Sequence, residues 1–206
     1  MDAVRVALLR DVLAGTSLLD ATHHFAGTLR SRVVPRGGEL LLVGTAEYEP
    51  WHLAAHLVDE AAWSGTPELA PTLVRHRVPP AGSGAPHLSV GLERLDAVRR
   101  DGTLLVVAPH VPDGRLLERV HGARRAGATV LALSAEEDGS GGELGALAHE
   151  ALTVPRDSAP SLDVVQHLVS AAAGEAGPPL DRSPRRLRER LARLTEHFTV
   201  PPPAHW

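Results

Sequence analysis

The 206 residues contain no cysteine, no lysine, no asparagine and no isoleucine, and only 3% of them are aromatic. Without cysteine there is no disulfide framework, thiolate nucleophile, iron–sulfur cluster or thiolate zinc site. Without lysine there is no Schiff base to a carbonyl or to pyridoxal phosphate, and no P-loop lysine. No run approaches the roughly 18 apolar residues of a membrane span. The opening stretch MDAVRVALLRDVLAG sets Asp2, Arg5, Arg10 and Asp11 where a signal sequence needs an apolar core, so no membrane and a cytoplasmic location are expected. A formal charge of −4 argues against a general nucleic-acid binder on electrostatic grounds.

What is present suits one compact domain with extensions, 43% apolar and 22% charged. Residues 1–34 carry Val4, Leu8, Leu9, Val12, Leu18, Leu19 and Phe25 at helical spacing, broken near Gly15 and Thr16. Short buried strands are predicted over 39–43, 103–108, 129–133 and 151–154, with an edge strand between Leu69 and Val78, where Pro71 sits at a bend. Helices are predicted from Pro50, at the first helical position, to near Gly65, over 90–100, over 114–126 behind an Asp113 cap, over 143–148, and from Ser158 or Ser161 towards Ala173. Strands alternating with helices predict an α/β fold, a three-layer sandwich with a mostly parallel sheet over 35–175, N-terminal helices over 1–34, and a C-terminal helical tail over 176–206. A Pro/Gly/Ser-rich loop spans 79–86. The tail helix carries Leu187, Leu191, Leu194 and Phe198 in one narrow stripe.

The strings ELLLVG, WSGTP, DGTLLVVAP, DGRLLERVHGARRAGATVLALS and ALAHEALTVP, in this order, resemble the sugar isomerase (SIS) domain over about 130 residues. Within that family PWHLAAHL resembles the first-helix motif of phosphoheptose isomerase, in which a His and a Glu four residues apart bind zinc. His52 matches the His, and His56 stands where the Glu would be. A further zinc-binding His of those enzymes, on the last helix of the domain, has its match in His167 of VVQHLVSAAA. No counterpart is placed for their upstream Gln, for which Asp163 can substitute. The resemblance implies a small sugar-derivative ligand, zinc or another divalent metal, a homo-oligomer (dimer or tetramer), and, if the protein is active, aldose–ketose isomerisation.

Spacing supports the metal reading on its own terms. Residues four apart share one helix face, so His52 with His56, and Asp163 with His167, form two pairs able to converge, and three imidazoles with a carboxylate suit zinc. His56 and Glu47 are the candidates for general acid/base work. Gly44, Thr45 and Tyr48 after the first strand, and His110 and Asp113 before the crossover helix, are the candidate ligand-binding residues.

The anion grip of phosphosugar-binding relatives, hydroxyls and free N–H groups in these loops, is missing. The stretch from Ala108 to Gly114 has no hydroxyl, its two prolines donate nothing, and Asp113 would occupy the helix N-terminus itself. Glu47 and Glu49 make the first loop acidic, which disfavours a phosphate and equally suits the positive end of the following helix.

Three functions therefore stand. The first is a divergent SIS-domain protein that binds a small sugar-derivative-like ligand or a divalent metal without conventional phosphosugar isomerisation. The second is a zinc-dependent phosphoheptose-type isomerase, with Arg75, Arg115 or an arginine of a neighbouring subunit gripping the anion. The third is an interaction protein using the five arginines between 185 and 193.

Overall fold

The computed structural model describes residues 10–35, 37–78, 90–136, 142–156 and 159–175. The expected 79–86 loop, the tail over 176–206 and Ser158 as a cap lie outside these residues. The chain divides into two compact units, Met1–Glu175 and Ala176–Trp206.

Five strands form one parallel sheet: β1 (Leu40–Val43), β2 (Thr72–Val74), β3 (Thr103–Ala108), β4 (Thr129–Glu136) and β5 (Glu150–Pro155), in the order β2-β1-β3-β4-β5. The helices are α1 (Ser17–Val33), α2 (Trp51–Ser64), α3 (Gly114–Arg125), α4 (Gly142–Leu147) and α5 (Leu162–Gly174). This is the expected α/β architecture. Every residue of β3 is buried, as is nearly all of β4, because helices cover both faces.

Alternation along the strands divides the core in two. Leu40, Leu42, Leu105, Val107, Leu131 and Leu133 pack with Phe25, Leu29, Leu53, Leu57, Val165 and Val169, on the side of α1, α2 and α5. Leu41, Val43, Leu104, Val106, Val130 and Ala132 pack with Leu95, Leu116, Val120 and Leu144, on the side of α3 and α4. Each fully buried Leu or Val contributes about 1.5–3 kcal/mol of transfer free energy.

The local signals act where the chain needs them. Thr16 caps α1 by accepting from Leu19 N–H, after a turn in which Gly15 has φ +78°. Gly65 ends α2 in the left-handed conformation, its N–H donating to Ala61 O. Asp113 caps α3, Oδ1 accepting from Leu116 N–H at 2.7 Å.

Two expectations need correction. Pro50 is the N-cap of α2 and not its first helical residue. The helix expected over 90–100 is a 3-10 helix, Leu92–Ala97: Leu92, Leu95 and Val98 are buried three apart, a spacing that a tighter turn satisfies as well as an α-helix.

Candidate functional site

A strand order of 2-1-3-4-5 reverses direction between β1 and β3. At that switch point the loops leaving the two strands diverge to opposite sides of the sheet, and ligands of open α/β folds bind in the crevice between them. The β1–α2 loop carries Gly44, Thr45, Glu47 and Tyr48, and the β3–α3 loop carries His110 and Asp113.

The first loop is tight. Tyr48 N–H donates to Thr45 O at 3.1 Å. A Cβ on Gly44 would lie 1.8 Å from Tyr48 O, so only glycine permits the turn. Thr45 is 4% exposed, and its hydroxyl is buried with no hydrogen-bond partner. Such a group costs about 1–3 kcal/mol when left unsatisfied. His76 Nε2 lies 2.9 Å from Gly44 O and ties the loop to the end of β2.

The loop is less acidic than its sequence implies. Arg75, just past β2, donates from Nε to Glu49 Oε2 at 3.1 Å and lies over the Trp51 ring, 4.9 Å from its centroid. Parallel pairing of β1 with β2 brings Arg75 there, so Glu49 is neutralised rather than offered to a ligand. Glu47 is exposed. Among the described residues no hydrogen bond, ion pair or ring contact joins Glu47, His110 or Asp113 to the imidazoles described next.

α2 and α5 pack together behind the first loop. A Cβ on Gly174 would lie 1.9 Å from Glu60 Oε2, so the helices approach closely at that end. Arg30 of α1 donates to Ala173 O at 3.0 Å and to Thr66 Oγ1 at 3.3 Å, holding the same end. Along this seam the rings of His52, His56 and His167 meet. Their centroids are 6.0 Å apart for His52–His56, 5.8 Å for His52–His167 and 4.3 Å for the edge-to-face pair His56–His167.

Burial holds the His167 imidazole down at about 4; neighbouring His56 and His52 add to this, and Asp163 opposes it. His56 is lowered as well, first by burial. Both rings are therefore neutral near pH 7, the form in which imidazole accepts a proton or binds a metal.

Asp163 is engaged elsewhere. Gln166 Nε2 donates to Asp163 Oδ1 at 3.1 Å and to the Tyr48 hydroxyl oxygen at 3.0 Å, and the hydroxyl lies 3.4 Å from Asp163 Oδ1. Burial raises the Tyr48 pKa, with Asp163 adding to the rise and Gln166 opposing it. Sequence reasoning missed Gln166, which is 3% exposed. It is the chain's one glutamine, and that rarity was the available signal.

In kind, three imidazoles fit a zinc ion. As the side chains stand, no three His, Asp or Glu among the described residues are arranged to hold one ion.

No protein-family model matches the chain, and no curated protein matches it. Among solved structures it is similar to the sugar isomerase domain of an RpiR transcription factor from Sphaerobacter thermophilus, at 18% identity over 96% of this chain and 98% of that one, with a TM-score of 0.52. It is also similar to a candidate sugar binding protein from Salmonella typhimurium LT2, at 14% identity over 88% of this chain and 52% of that one, with a TM-score of 0.50. The likeness is one of fold: the chain has the fold of the sugar isomerase domain. No helix among the described residues is long and apolar enough to cross a membrane.

Proposed function

We propose that the chain is a divergent SIS-fold protein that binds a sugar derivative without a phosphate at the crevice between the β1–α2 and β3–α3 loops, and that it does not carry out conventional phosphosugar isomerisation. The observation that carries this reading is the cap of α3. The Asp113 carboxylate already accepts from Leu116 N–H at 2.7 Å, so the helix end that would attract a phosphate is filled by the protein's own anion. The unpartnered Thr45 hydroxyl and, three residues further along the same loop, the Tyr48 phenol suit a polyol, which both donates and accepts hydrogen bonds. The sugar-related names of the two structural neighbours agree with that ligand class.

Calorimetric titration with unphosphorylated sugars and their phosphate esters tests this. The expected result is binding of the former and at least tenfold weaker binding of the latter, with Asp113→Ser narrowing the gap. Tighter binding of the esters by the natural sequence, or their turnover, would overturn the reading in favour of the isomerase.

A second reading concerns the imidazoles alone, and their mutual approach favours it. His52, His56 and His167 are proposed to take a divalent ion, zinc first, once the exposed His52 ring rotates. Elemental analysis of tag-free protein should find one ion per chain, reduced to trace in His52→Ala and His167→Ala. Equal trace metal in all three proteins would dismiss it.

A further inference from the structure

The chain's one glutamine is hydrogen-bonded to its one tyrosine. Gln166 is buried on α5, Asp163 lies exposed one turn earlier on the same helix, and Tyr48 reaches both, half-buried, from the β1–α2 loop. With no asparagine in the chain, Gln166 is also the only carboxamide side chain. A carboxamide costs free energy in an apolar layer unless its hydrogen bonds are made, so its partners account for its place there.

The distances fix which way round the amide sits. Gln166 Nε2 donates to Asp163 Oδ1 at 3.1 Å and to Tyr48 Oη at 3.0 Å, both ordinary N–H···O lengths. Turning the amide over would set its oxygen against the Asp163 carboxylate, acceptor against acceptor. Both Nε2 hydrogens are therefore used, and Tyr48 Oη is an acceptor towards the protein. The phenol's own hydrogen has two acceptors within reach, Gln166 Oε1 at 3.2 Å and Asp163 Oδ1 at 3.4 Å. Both lie beyond the roughly 2.5–3.0 Å of a good O–H···O bond, so that hydrogen is left for another partner. Asp163 Oδ2 has no hydrogen-bond partner among the described residues.

Side by side, then, stand a donor without a good acceptor and an acceptor without a donor. Two hydroxyls on neighbouring sugar carbons answer this pattern. Each both donates and accepts, and their oxygens, when gauche, stand about one hydrogen-bond length apart. One accepts from Tyr48 Oη, and the other donates to Asp163 Oδ2. A phosphate ester at the same place would meet the carboxylate charge.

We propose that Gln166 is a positioning residue of the ligand site: it holds Tyr48 as donor and Asp163 as acceptor, and together these recognise a vicinal diol of an unphosphorylated sugar. The inference rests on the ligand reading above and restricts it to sugars with two adjacent free hydroxyls.

The composition makes the test direct. The natural chain, labelled with ¹⁵N and ¹³C, should show one side-chain amide pair in its NMR spectrum, from Gln166, and one phenol, from Tyr48. Both amide hydrogens should exchange slowly with water before any sugar is added, and saturating D-ribose, D-glucose or D-mannose should move the Tyr48 Cζ resonance. In calorimetry with whichever of the three binds tightest, Tyr48→Phe, Asp163→Ala and Gln166→Leu should each weaken binding roughly tenfold, the loss of one hydrogen bond. Gln166→Leu combined with Tyr48→Phe should lose no more than either alone, because the phenol contributes only while the glutamine holds it. Among monodeoxy analogues of that sugar, two lacking adjacent hydroxyls should show the same loss.

A glutamine that served the fold alone would lower the urea midpoint on substitution and leave the affinity unchanged; that result would overturn the proposal while the ligand reading stands. Uniform affinity across the deoxy analogues would refute the diol. If Gln166→Leu fails to fold, amide exchange in the natural chain decides, and a pair exchanging as fast as a free carboxamide would refute the positioning role. Binding of none of the three sugars would bring down the ligand reading and this inference with it.

Discussion

On the α3 and α4 side of the sheet the helices meet the strands with aliphatic side chains, the Ser134 and Thr153 hydroxyls of β4 and β5 satisfy each other at 3.0 Å, and charged groups lie at the margin. There Arg119 pairs with Asp96, and Arg124 donates to Leu147 O at 2.7 Å and Ala146 O at 2.9 Å. On the other side, the helix pair α2 and α5 places His167 and Gln166 among leucines and valines, at 7% and 3% exposure. The strands supply equivalent apolar faces to both layers, so the contrast comes from the helices. One layer is a closed core, and the other holds buried groups that titrate and donate. Burying such groups costs free energy unless they are satisfied, so their presence marks the layer where a ligand or ion can act.

The largest effect expected from this contrast is in what the layers share. Leu57 and Leu116 are each 0% exposed, one in each layer. Leu57→Ala and Leu116→Ala should each cost about 2–5 kcal/mol in urea unfolding. A loss below about 1 kcal/mol at Leu57 would show that the polar layer is loosely packed and would break the comparison.

The next effect separates the layers. The His167 pKa is about 4 in the fold against 6.5 for an ordinary imidazole. The unfolded chain therefore takes up its proton first as pH falls. The stabilisation is complete above pH 6.5 and is lost progressively towards pH 4, by an amount on the order of 1–3 kcal/mol. Metal-free protein should show this in unfolding midpoints at pH 7.5 and 5, and His167→Leu should flatten the dependence. An unchanged slope in His167→Leu would place the acid-sensitive group elsewhere.

The smallest effect belongs to the margin of the closed layer. Asp96 is a well-exposed partner of Arg119, so Asp96→Ala should change stability by a few tenths of a kcal/mol at most. A loss above about 1 kcal/mol would show that this side also depends on buried electrostatics.

Much of the fold was legible in the sequence because its signals are local. Uninterrupted apolar runs marked β3 and β4, Asp113 and Gly65 marked helix ends, and the i, i+4 pair His52–His56 marked a shared face. What escaped depends on contacts between distant segments. Glu49 read as a free acid until strand register delivered Arg75 to it. Gln166 had no local pattern, and its role emerges only where Tyr48 reaches it from 118 positions away along the chain. The 3-10 helix was misread because three-residue and four-residue periods coincide over so short a span.

At the β2 edge the sheet ends in a strand only three residues long, and just beyond it Arg75 N–H is taken by Val90 O at 2.9 Å. A stub this brief gives a foreign strand almost no backbone to zip onto. On that flank, strand-by-strand growth into a continuous ribbon or fibril is blocked, and self-recognition is left to side-chain surfaces, which can be selective in a way that bare amide ladders cannot.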